Sequence, residues 1–207
     1  MSIMDDIYDN YSTLEESRLL TEAIERWEPR AADRVPEYLK DFYLKLLKTC
    51  KDFEDELEPD KKYRIPYLRE QIKGLSRSYF QEAKWGAEGY VPSLEEHLRV
   101  SLRSTGYPAV ACASFVGLGE DATKEAFEWL SSFPQILKSC TIISRLMDDI
   151  TSHELEQQRD HHVASTVESY MKEYGASSEV AREKLETMVE RAWKDLNEDC
   201  LRRPIQV

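Results

Sequence analysis

This sequence has no long apolar run, no closely spaced pair of cysteines and no excess of positive charge. Each absence excludes a class of protein. No apolar run reaches the ~18 residues that a membrane span needs, and no secretory signal pattern opens the chain, which argues against a membrane partner. The four cysteines form no C-x-x-C pair, so we expect reduced, mostly buried thiols of an intracellular protein rather than a disulfide framework or a zinc site. They are Cys50, Cys112, Cys140 and Cys200.

Acidic residues outnumber basic ones, with 40 Asp and Glu against 28 Lys and Arg and a net charge of −12. A chain with this charge gains nothing from a phosphate backbone, which argues against nucleic acid as a partner. The same charge repels a diphosphate unless metal ions first neutralise the site. The 207 residues, 41% of them hydrophobic, can bury a substantial core, and we predict one domain over 1–207.

Apolar residues recur at helical spacing along the chain, without a convincing strand pattern, internal repeat or low-complexity tract. The pattern therefore predicts an all-α fold. Capping signals, prolines and glycines set the expected bounds of the helices. We predict helices over about 13–27, 36–52 and 67–88, a helix from 93 that is broken at 104–108, and a helix over 121–130. A further helix starts at 134, another ends at 174, and the last covers 178–196.

A stretch of twelve residues, R-L-M-D-D-I-T-S-H-E-L-E from Arg145 to Glu156, ends a long apolar helix in acids. Asp148, Ser152 and Glu156 stand at i, i+4 and i+8, so a helix places them on one face about a turn apart. Two carboxylates and a hydroxyl are oxygen ligands of the kind that Mg²⁺ prefers. Arg145, one turn earlier, would lie beside any anion that the cation holds. This face therefore predicts a site for a metal ion and its anion.

A second acidic cluster, Asp5-Asp6-Ile7-Tyr8-Asp9, follows the first apolar residues of the chain. We interpret the opening as the end of a longer helix, on which Asp5 and Asp9 at i, i+4 present two carboxylates together. A charged, solvated helix face is the alternative, as over 54–58, where lysines flank the acids. The two candidate clusters can share one metal site only if their helices face each other.

The segment Ser104-Thr105-Gly106-Tyr107-Pro108 must interrupt the helix that starts at Ser93. Proline lacks an amide proton, and glycine allows unusual backbone angles. A broken helix leaves backbone groups unpaired, and proteins often place such a break inside a site. A plain kink in a packed helix is the alternative interpretation.

The two acidic motifs resemble those of plant class I terpene synthases. The segment M-S-I-M-D-D-I-Y-D-N-Y-S-T is similar to their aspartate-rich D-D-x-x-D segment, and residues 145–156 are similar to their second metal motif, (N/D)-D-x-x-(S/T)-x-x-x-E. The order of the motifs, their separation of about 140 residues and the intervening W-G-A-E-G-Y-V-P segment also match that family. The chain most resembles sesquiterpene synthases of the cadinene type, and the resemblance covers essentially all of it.

The resemblance implies a helical bundle whose two motifs face each other across an apolar cavity, and a lyase reaction that ionises farnesyl diphosphate to a sesquiterpene and diphosphate. Arg145 would hold the diphosphate of this prenyl diphosphate substrate, and Thr105 and Gly106 would help to shape the cavity. A cluster of about three ions, Mg²⁺ or alternatively Mn²⁺, is expected with the substrate. The implied metal ligands are Asp5 and Asp9 with support from Asp6 on one wall, and Asp148, Ser152 and Glu156 on the other.

The resemblance covers the middle of a catalytic domain, so we expect an incomplete bundle whose first and last helices lie outside the chain. Its exposed apolar faces would favour self-association. Asp160-His161-His162 departs from the family's pattern, and we interpret the two histidines as a loop feature rather than as ligands. We expect a cytoplasmic protein, or a plastid one if a longer parent chain carries a transit peptide.

Three other interpretations stay open at this point. A monoterpene synthase would use geranyl diphosphate in the same site. A chain-elongating prenyltransferase also uses acidic motifs on facing helices, but its second motif would be another D-D-x-x-D, unlike the motif at 145–156. A catalytically inactive helical fragment would bind only metal or a partner, and turnover of prenyl diphosphates would separate it from an enzyme.

Overall fold

A computed structural model of the chain describes residues 2–158 and 163–202, and these residues form ten α-helices and no β-strand. One π-helical turn, Ile7–Tyr11, and two 3₁₀ helices, Pro29–Arg34 and Pro59–Lys61, complete the regular structure of that part of the chain. The all-α prediction is confirmed. The α-helices are α1 Ser2–Asp6, α2 Leu14–Arg26, α3 Glu37–Glu56, α4 Arg64–Glu88, α5 Leu94–Ser104, α6 Tyr107–Gly117, α7 Lys124–Ser131, α8 Gln135–Glu156, α9 Thr166–Tyr174 and α10 Ser178–Arg202.

Three of these helices begin with a reciprocal capping box. Thr13, Ser93 and Ser165 each accept a hydrogen bond from the backbone N–H three residues later, and the glutamate at that position accepts one from the capping residue's own N–H. The first turn of a helix leaves its amides without intrahelical partners, and the capping box satisfies part of that need. The structure confirms the starts of α2 and α5 that this pattern predicts.

Other helix boundaries differ from the predicted ones by about one to two turns. Helix α4 begins at Arg64 rather than Tyr67, because Pro66 falls in the first turn, where the missing amide proton leaves no hydrogen bond unmade. Helix α7 starts at Lys124, a few residues late. Helix α10 continues to Arg202 because it packs along α8 over most of its length.

The chain leaves α-helical geometry directly after Asp6. The Ser12 N–H donates to the Ile7 carbonyl oxygen at 2.9 Å, five residues back, and the Ser12 hydroxyl donates to the same oxygen at 2.7 Å. A π-helical turn holds more residues than an α-helical one, is rare, and is found frequently at functional sites. Across this turn, Asp5 and Asp9 stay on one side of the chain and line the same cavity.

Two long helices carry the packing that positions the motifs. Helix α4 contacts α2, α5 and α6, and α8 contacts α10 along its length together with α5, α6 and α9. Leu146 on the buried face of α8 is fully enclosed, as are Val167 of α9 and Leu185 of α10. Burying each such side chain contributes about 2 kcal/mol to the free energy of unfolding. The core therefore holds α8 in a fixed rotation.

The thiols are less buried than the sequence predicts, whereas the acid-rich end of α3 agrees with the expected solvated helix end. Cys50 and Cys112 are buried, Cys140 is half-buried and Cys200 is exposed, and all four are free. The acids at 54–55 pair with a lysine on the solvent side of α3. Across 2–158 and 163–202, we find no helix with both the length and the hydropathy that crossing a bilayer requires.

Candidate functional site

The two acidic segments line a common space between α1 and α8. A cavity of about 600 Å³, which we call the wide cavity, has Asp5 on one side and Arg145 and Asp148 on the other. Tyr79 of α4 and Thr105 at the helix break also line it. Residues that lie about 140 positions apart in the chain thus come together at one place.

A second cavity of about 110 Å³, the narrow cavity, shares Asp5, Tyr79 and Arg145 with the wide one and adds Asp9 and Glu156. The shared side chains make the two cavities neighbours. Together they collect carboxylates from both acidic motifs and the arginine of the second. The structure therefore brings most of the predicted site residues into one region.

Arg145 supplies positive charge to an otherwise acidic region. Its Nη1 donates to Asp149 Oδ1 at 3.2 Å and lies 3.6 Å from Asp148 Oδ2. Burial opposes the charge, but Asp149, Glu82 and Asp148 outweigh that effect and hold the pKa of Arg145 above its ordinary value. The guanidinium is therefore permanently charged and can bind an anion in the cavity.

Glu82 of α4 lines the narrow cavity, although no motif marks it in the sequence. Its carboxylate accepts a hydrogen bond from the Ser104 hydroxyl at 2.7 Å, beside the helix break. Burial raises the pKa of Glu82 to about 7, against the opposing effects of Arg145 and of the Ser104 hydrogen bond. Asp9 and Asp149 add to the rise. The pKa of Glu82 is therefore raised mainly by burial, and the neighbouring carboxylates make a smaller contribution.

Tyr79 lies almost one turn before Glu82 on α4 and lines both cavities. Burial, together with the Asp5 carboxylate that accepts a hydrogen bond from its hydroxyl, raises the pKa of Tyr79 far above its ordinary value. The phenol therefore keeps its proton and donates to Asp5. Through this bond, the rigid helix α4 orients a carboxylate that sits on the much shorter helix α1.

The predicted helix break separates α5 from α6. Helix α5 ends at Ser104, and Gly106, with a φ of 77°, is the N-cap of α6. The hydroxyl of Thr105 donates to the Leu102 carbonyl at 3.0 Å, and Pro108 falls in the first turn of α6. Because Thr105 lines the wide cavity, the break forms part of the wall of the site.

The second motif offers a donor set that suits a divalent cation. Ser152 Oγ is buried and has no hydrogen-bond partner among the described residues. A buried hydroxyl without a partner costs free energy, which a bound cation or water would offset. Asp148 and Glu156 lie one turn before and one turn after it on α8. These oxygen atoms fit the Mg²⁺ that the sequence predicts.

The first motif presents carboxylates from the opposite wall. Asp5 and Asp9 line the narrow cavity, whereas Asp6 lines neither cavity. In the part of the chain that the structure describes, no three His, Cys, Asp or Glu side chains approach closely enough to hold a metal ion by themselves. Cations between the walls would therefore share ligands with a further oxygen donor, such as a diphosphate.

A family of known proteins matches nearly the whole sequence. The family model described as "Terpene synthase family, metal binding domain" matches residues 1–195. The chain belongs to the terpene synthase family. This terpene synthase chain is 79% identical over 207 residues to alpha-humulene synthase of Zingiber zerumbet. The alignment covers 100% of this chain and 37% of that protein. It is 64% identical over 201 residues to beta-eudesmol synthase of the same organism, covering 97% of the chain and 36% of that protein.

A solved structure of a family member has the same fold. Isoprene synthase from grey poplar (Populus x canescens), in complex with three Mg²⁺ ions and dimethylallyl-S-thiolodiphosphate, superimposes with a TM-score of 0.87 at 31% identity. The match covers 94% of this chain and 37% of that one. The predicted class I terpenoid synthase bundle is thereby confirmed. This chain spans little more than a third of the length of these relatives.

Sequence reasoning missed three residues that line the cavities of this terpene synthase chain. Asp149, the second aspartate of the motif, lines the narrow cavity, and the sequence signals it only by its place beside Asp148. Tyr79 and Glu82 stand at i, i+3 on α4, a spacing that shows a common face but not what that face meets. The predicted loop feature, Asp160-His161-His162, lies outside the described residues.

Proposed function

We propose that this terpene synthase chain is the metal-binding part of an enzyme that ionises farnesyl diphosphate to a sesquiterpene and diphosphate. The observation that carries the proposal is the position of Arg145, which lines both cavities between carboxylates of the two motifs. A permanent cation beside hard carboxylate ligands suits a diphosphate that arrives with its metal ions. The high identity to sesquiterpene synthases, alpha-humulene synthase and beta-eudesmol synthase, supports this product class.

We infer that Mg²⁺ is the cofactor, with Mn²⁺ as the alternative. The three Mg²⁺ ions in the isoprene synthase complex support a cluster of about three ions. When bound, the ions neutralise the diphosphate and stabilise the charge that builds on it as the carbon–oxygen bond breaks. The unpartnered Ser152 hydroxyl supports a ligand role for the second motif. The proposed ligands are Asp5 and Asp9, with Asp6 in a supporting role, and Asp148, Ser152 and Glu156.

The chain's own side chains have separate tasks in this reaction. Arg145 binds diphosphate oxygens. Because its charge is permanent, it still binds the diphosphate leaving group after the carbon–oxygen bond has broken. Tyr79 keeps Asp5 oriented. Thr105 and Gly106 form a wall beside the prenyl chain, and a wall that excludes water lets the allylic cation cyclise before water captures it.

Turnover by the 207-residue chain tests the proposal and its alternatives. With Mg²⁺ and farnesyl diphosphate, we expect equal amounts of hydrocarbon and diphosphate, and less product from geranyl diphosphate. Arg145→Gln should reduce diphosphate release by about a hundredfold or more, because a charged group at the leaving group is lost. Arg182→Gln is the matched control, since Arg182 pairs with Glu154 away from the cavities.

Each alternative predicts a different outcome of the same assay. Faster turnover of geranyl diphosphate would identify a monoterpene synthase. With isopentenyl diphosphate added as the second substrate, a longer prenyl diphosphate as the product would identify a chain-elongating prenyltransferase. A folded chain that binds Mg²⁺ but releases no diphosphate would identify a metal-binding fragment without activity.

The extent of the domain, its compartment and its assembly also belong to the proposal. The family match over 1–195 supports a single, partial metal-binding domain. The free thiols support a reducing compartment, either the cytoplasm or a plastid. Apolar side chains on the surface support self-association, which light scattering at rising protein concentration would detect. The most exposed aliphatic side chains among them are Ile3 at 65%, Leu155 at 70% and Leu201 at 86%.

A further inference from the structure

We propose that Asp149 is a positioning residue, which fixes the guanidinium of Arg145 at the cavity by tying it to the first turn of α9. The inference deepens the proposed function and rests on it, because the diphosphate-binding role of Arg145 belongs to that proposal. Asp149 and Asp148 are neighbours in the sequence, yet the structure gives them different surroundings. That difference separates a residue that faces the ligand from a residue that holds another side chain in place.

Asp149 is buried, and both of its carboxylate oxygens are occupied by protein donors. The residue is only 3% exposed. Its Oδ1 accepts a hydrogen bond from Arg145 Nη1 at 3.2 Å, and its Oδ2 accepts one from the Thr166 N–H at 2.7 Å. The Thr166 hydroxyl donates to the same Oδ2. A carboxylate engaged in this way has little capacity left for a metal ion, but it fixes the partners that it touches.

Asp148 provides the contrast. Its side chain is 63% exposed, lines the wide cavity and lies 3.6 Å from Arg145. Successive residues of an α-helix point about 100° apart, so adjacent aspartates on α8 face different neighbouring elements. Asp148 therefore faces the wide cavity, while Asp149, at the edge of the narrow cavity, directs both carboxylate oxygens to Arg145 and α9. Arg145, at i−4 from Asp149 on the same helix, is in reach of both.

The contacts of Thr166 extend the network from α8 to two other helices. Ser165 caps α9, so the Thr166 amide is one of the N–H groups that a helix start leaves unpaired, and Asp149 satisfies it. Negative charge at a helix N-terminus is also favoured by the helix dipole. The Thr166 hydroxyl lies 3.2 Å from His97 Nδ1 of α5, and the same nitrogen lies 3.1 Å from Ser101 Oγ. Helices α5, α8 and α9 therefore meet at one buried group.

The remaining hydrogen-bonding capacity of Arg145 indicates why its orientation matters. Its Nε is buried and has no hydrogen-bond partner within 2–158 and 163–202. One arm of the guanidinium is held by Asp149, and other N–H groups are left for an anion in the cavity. If Asp149 only stabilised the fold, its loss would change the melting temperature without a specific effect on diphosphate binding. If it positions Arg145, diphosphate binding changes through Arg145 alone.

A double-mutant cycle on binding of inorganic diphosphate, measured by calorimetry in excess Mg²⁺, separates these two roles. Asp149→Asn keeps the shape but removes the charge, and we expect it to weaken binding about tenfold, which is the size of one charge-assisted hydrogen bond. The double variant Arg145→Gln with Asp149→Asn should bind no more weakly than Arg145→Gln alone. Unchanged diphosphate binding by Asp149→Asn would overturn the proposal. A double variant whose loss of binding free energy equals the sum of the two single losses would also overturn it.

A control and a second variant keep the result interpretable. Glu154→Gln removes an exposed acid from the same helix, where it pairs with Arg182, and should leave diphosphate binding unchanged. If Asp149→Asn does not fold, Thr166→Ala decides the question, because it removes the hydroxyl that holds Oδ2 and keeps the backbone amide. We expect a threefold or greater weakening of diphosphate binding in a chain that still folds but melts at a lower temperature, and unaltered binding would contradict the link to α9.

A spectroscopic measurement distinguishes failure of this inference from failure of the proposed function. The ¹⁵Nε–¹Hε signal of Arg145, identified by its loss in Arg145→Lys, reports whether the guanidinium is fixed without any ligand. We expect slow proton exchange at this site in the wild-type chain and about tenfold faster exchange in Asp149→Asn. If the wild-type chain binds no diphosphate, the proposed function fails, and equal exchange rates in the two chains would overturn the positioning role separately.

Discussion

Gly106 turns the chain between α5 and α6 with a φ of 77°, a backbone angle that residues with a Cβ rarely adopt. Gly74, in the interior of α4, is an ordinary helical glycine, and a Cβ built on it meets no atom within 4 Å. The two glycines therefore serve opposite purposes. One is required by the turn beside the cavity, while the other only weakens a helix.

We predict that alanine at these two positions changes stability in opposite directions. Gly106→Ala should lower the free energy of unfolding by about 1–2 kcal/mol, because the left-handed angle becomes strained. Gly74→Ala should raise it by about 0.5–1 kcal/mol through better helix propensity. Urea denaturation followed by circular dichroism measures both. Equal effects of the same sign would show that the break is not held by its backbone angle.

His97 is a buried ring whose charge state depends on its surroundings. Burial lowers its pKa to about 4, and Arg145 adds to the decrease, while Asp149 and Glu168 partly oppose it. The ring also stacks on Trp85 at a centroid distance of 6.3 Å. The folded chain therefore keeps this histidine neutral, whereas the unfolded chain protonates it below about pH 6.5.

This lowered pKa predicts a pH dependence of stability. Because only the unfolded chain takes up the proton, the contribution of His97 is complete above about pH 6.5 and falls as the pH drops toward 4, by up to about 3 kcal/mol. Wild-type chain and His97→Gln should therefore differ more in their free energy of unfolding at pH 7.5 than at pH 5. A difference that is the same at both values, measured by urea titration, would contradict a neutral buried ring.

At the scale of helices, the sequence patterns that predict helix boundaries lie within a single helical turn. The S/T-x-x-E pattern located the starts of α2 and α5, and Gly106 with Pro108 located the break. The π-helical turn over 7–11 has no comparable signal, because a hydrogen bond between residues five apart competes closely with the α-helical one. Tertiary contact decides between them: Tyr8 in this turn is buried and hydrogen-bonded to two other helices.

We predict that the capping box of α5 makes a measurable contribution to stability. Ser93→Ala removes the acceptor of the Glu96 N–H and should lower the free energy of unfolding by about 1 kcal/mol. Ser114→Ala is the matched control, because its exposed hydroxyl only bonds back to the Val110 carbonyl within α6. It should be neutral or slightly stabilising. Thermal melts of the two variants that shift alike would contradict this account of the cap.

At the scale of the whole molecule, the site exists only because packing brings distant segments together. The motif spacing on α8 and the family resemblance are enough to predict Asp5, Arg145 and Asp148 as site residues from the sequence alone. The residues of α4 that lie between the two walls cannot be predicted from motif spacing or from the resemblance. Helical periodicity shows which residues share a face of a helix, but it does not show which element packs against that face. The role of Asp149 is hidden for the same reason: two adjacent aspartates are equivalent in sequence, and only the fold buries one of them.

The most direct test of the account is calorimetric titration of the 207-residue chain with Mg²⁺ and an unreactive farnesyl diphosphate analogue. An acidic site that holds an anion only through cations predicts binding that requires both components. Asp5→Ala and Asp148→Ala, one from each wall, should each abolish the Mg²⁺-dependent binding, while Glu154→Gln should not affect it. An affinity unchanged in both alanine variants would contradict the central claim that the two facing motifs form one metal and diphosphate site.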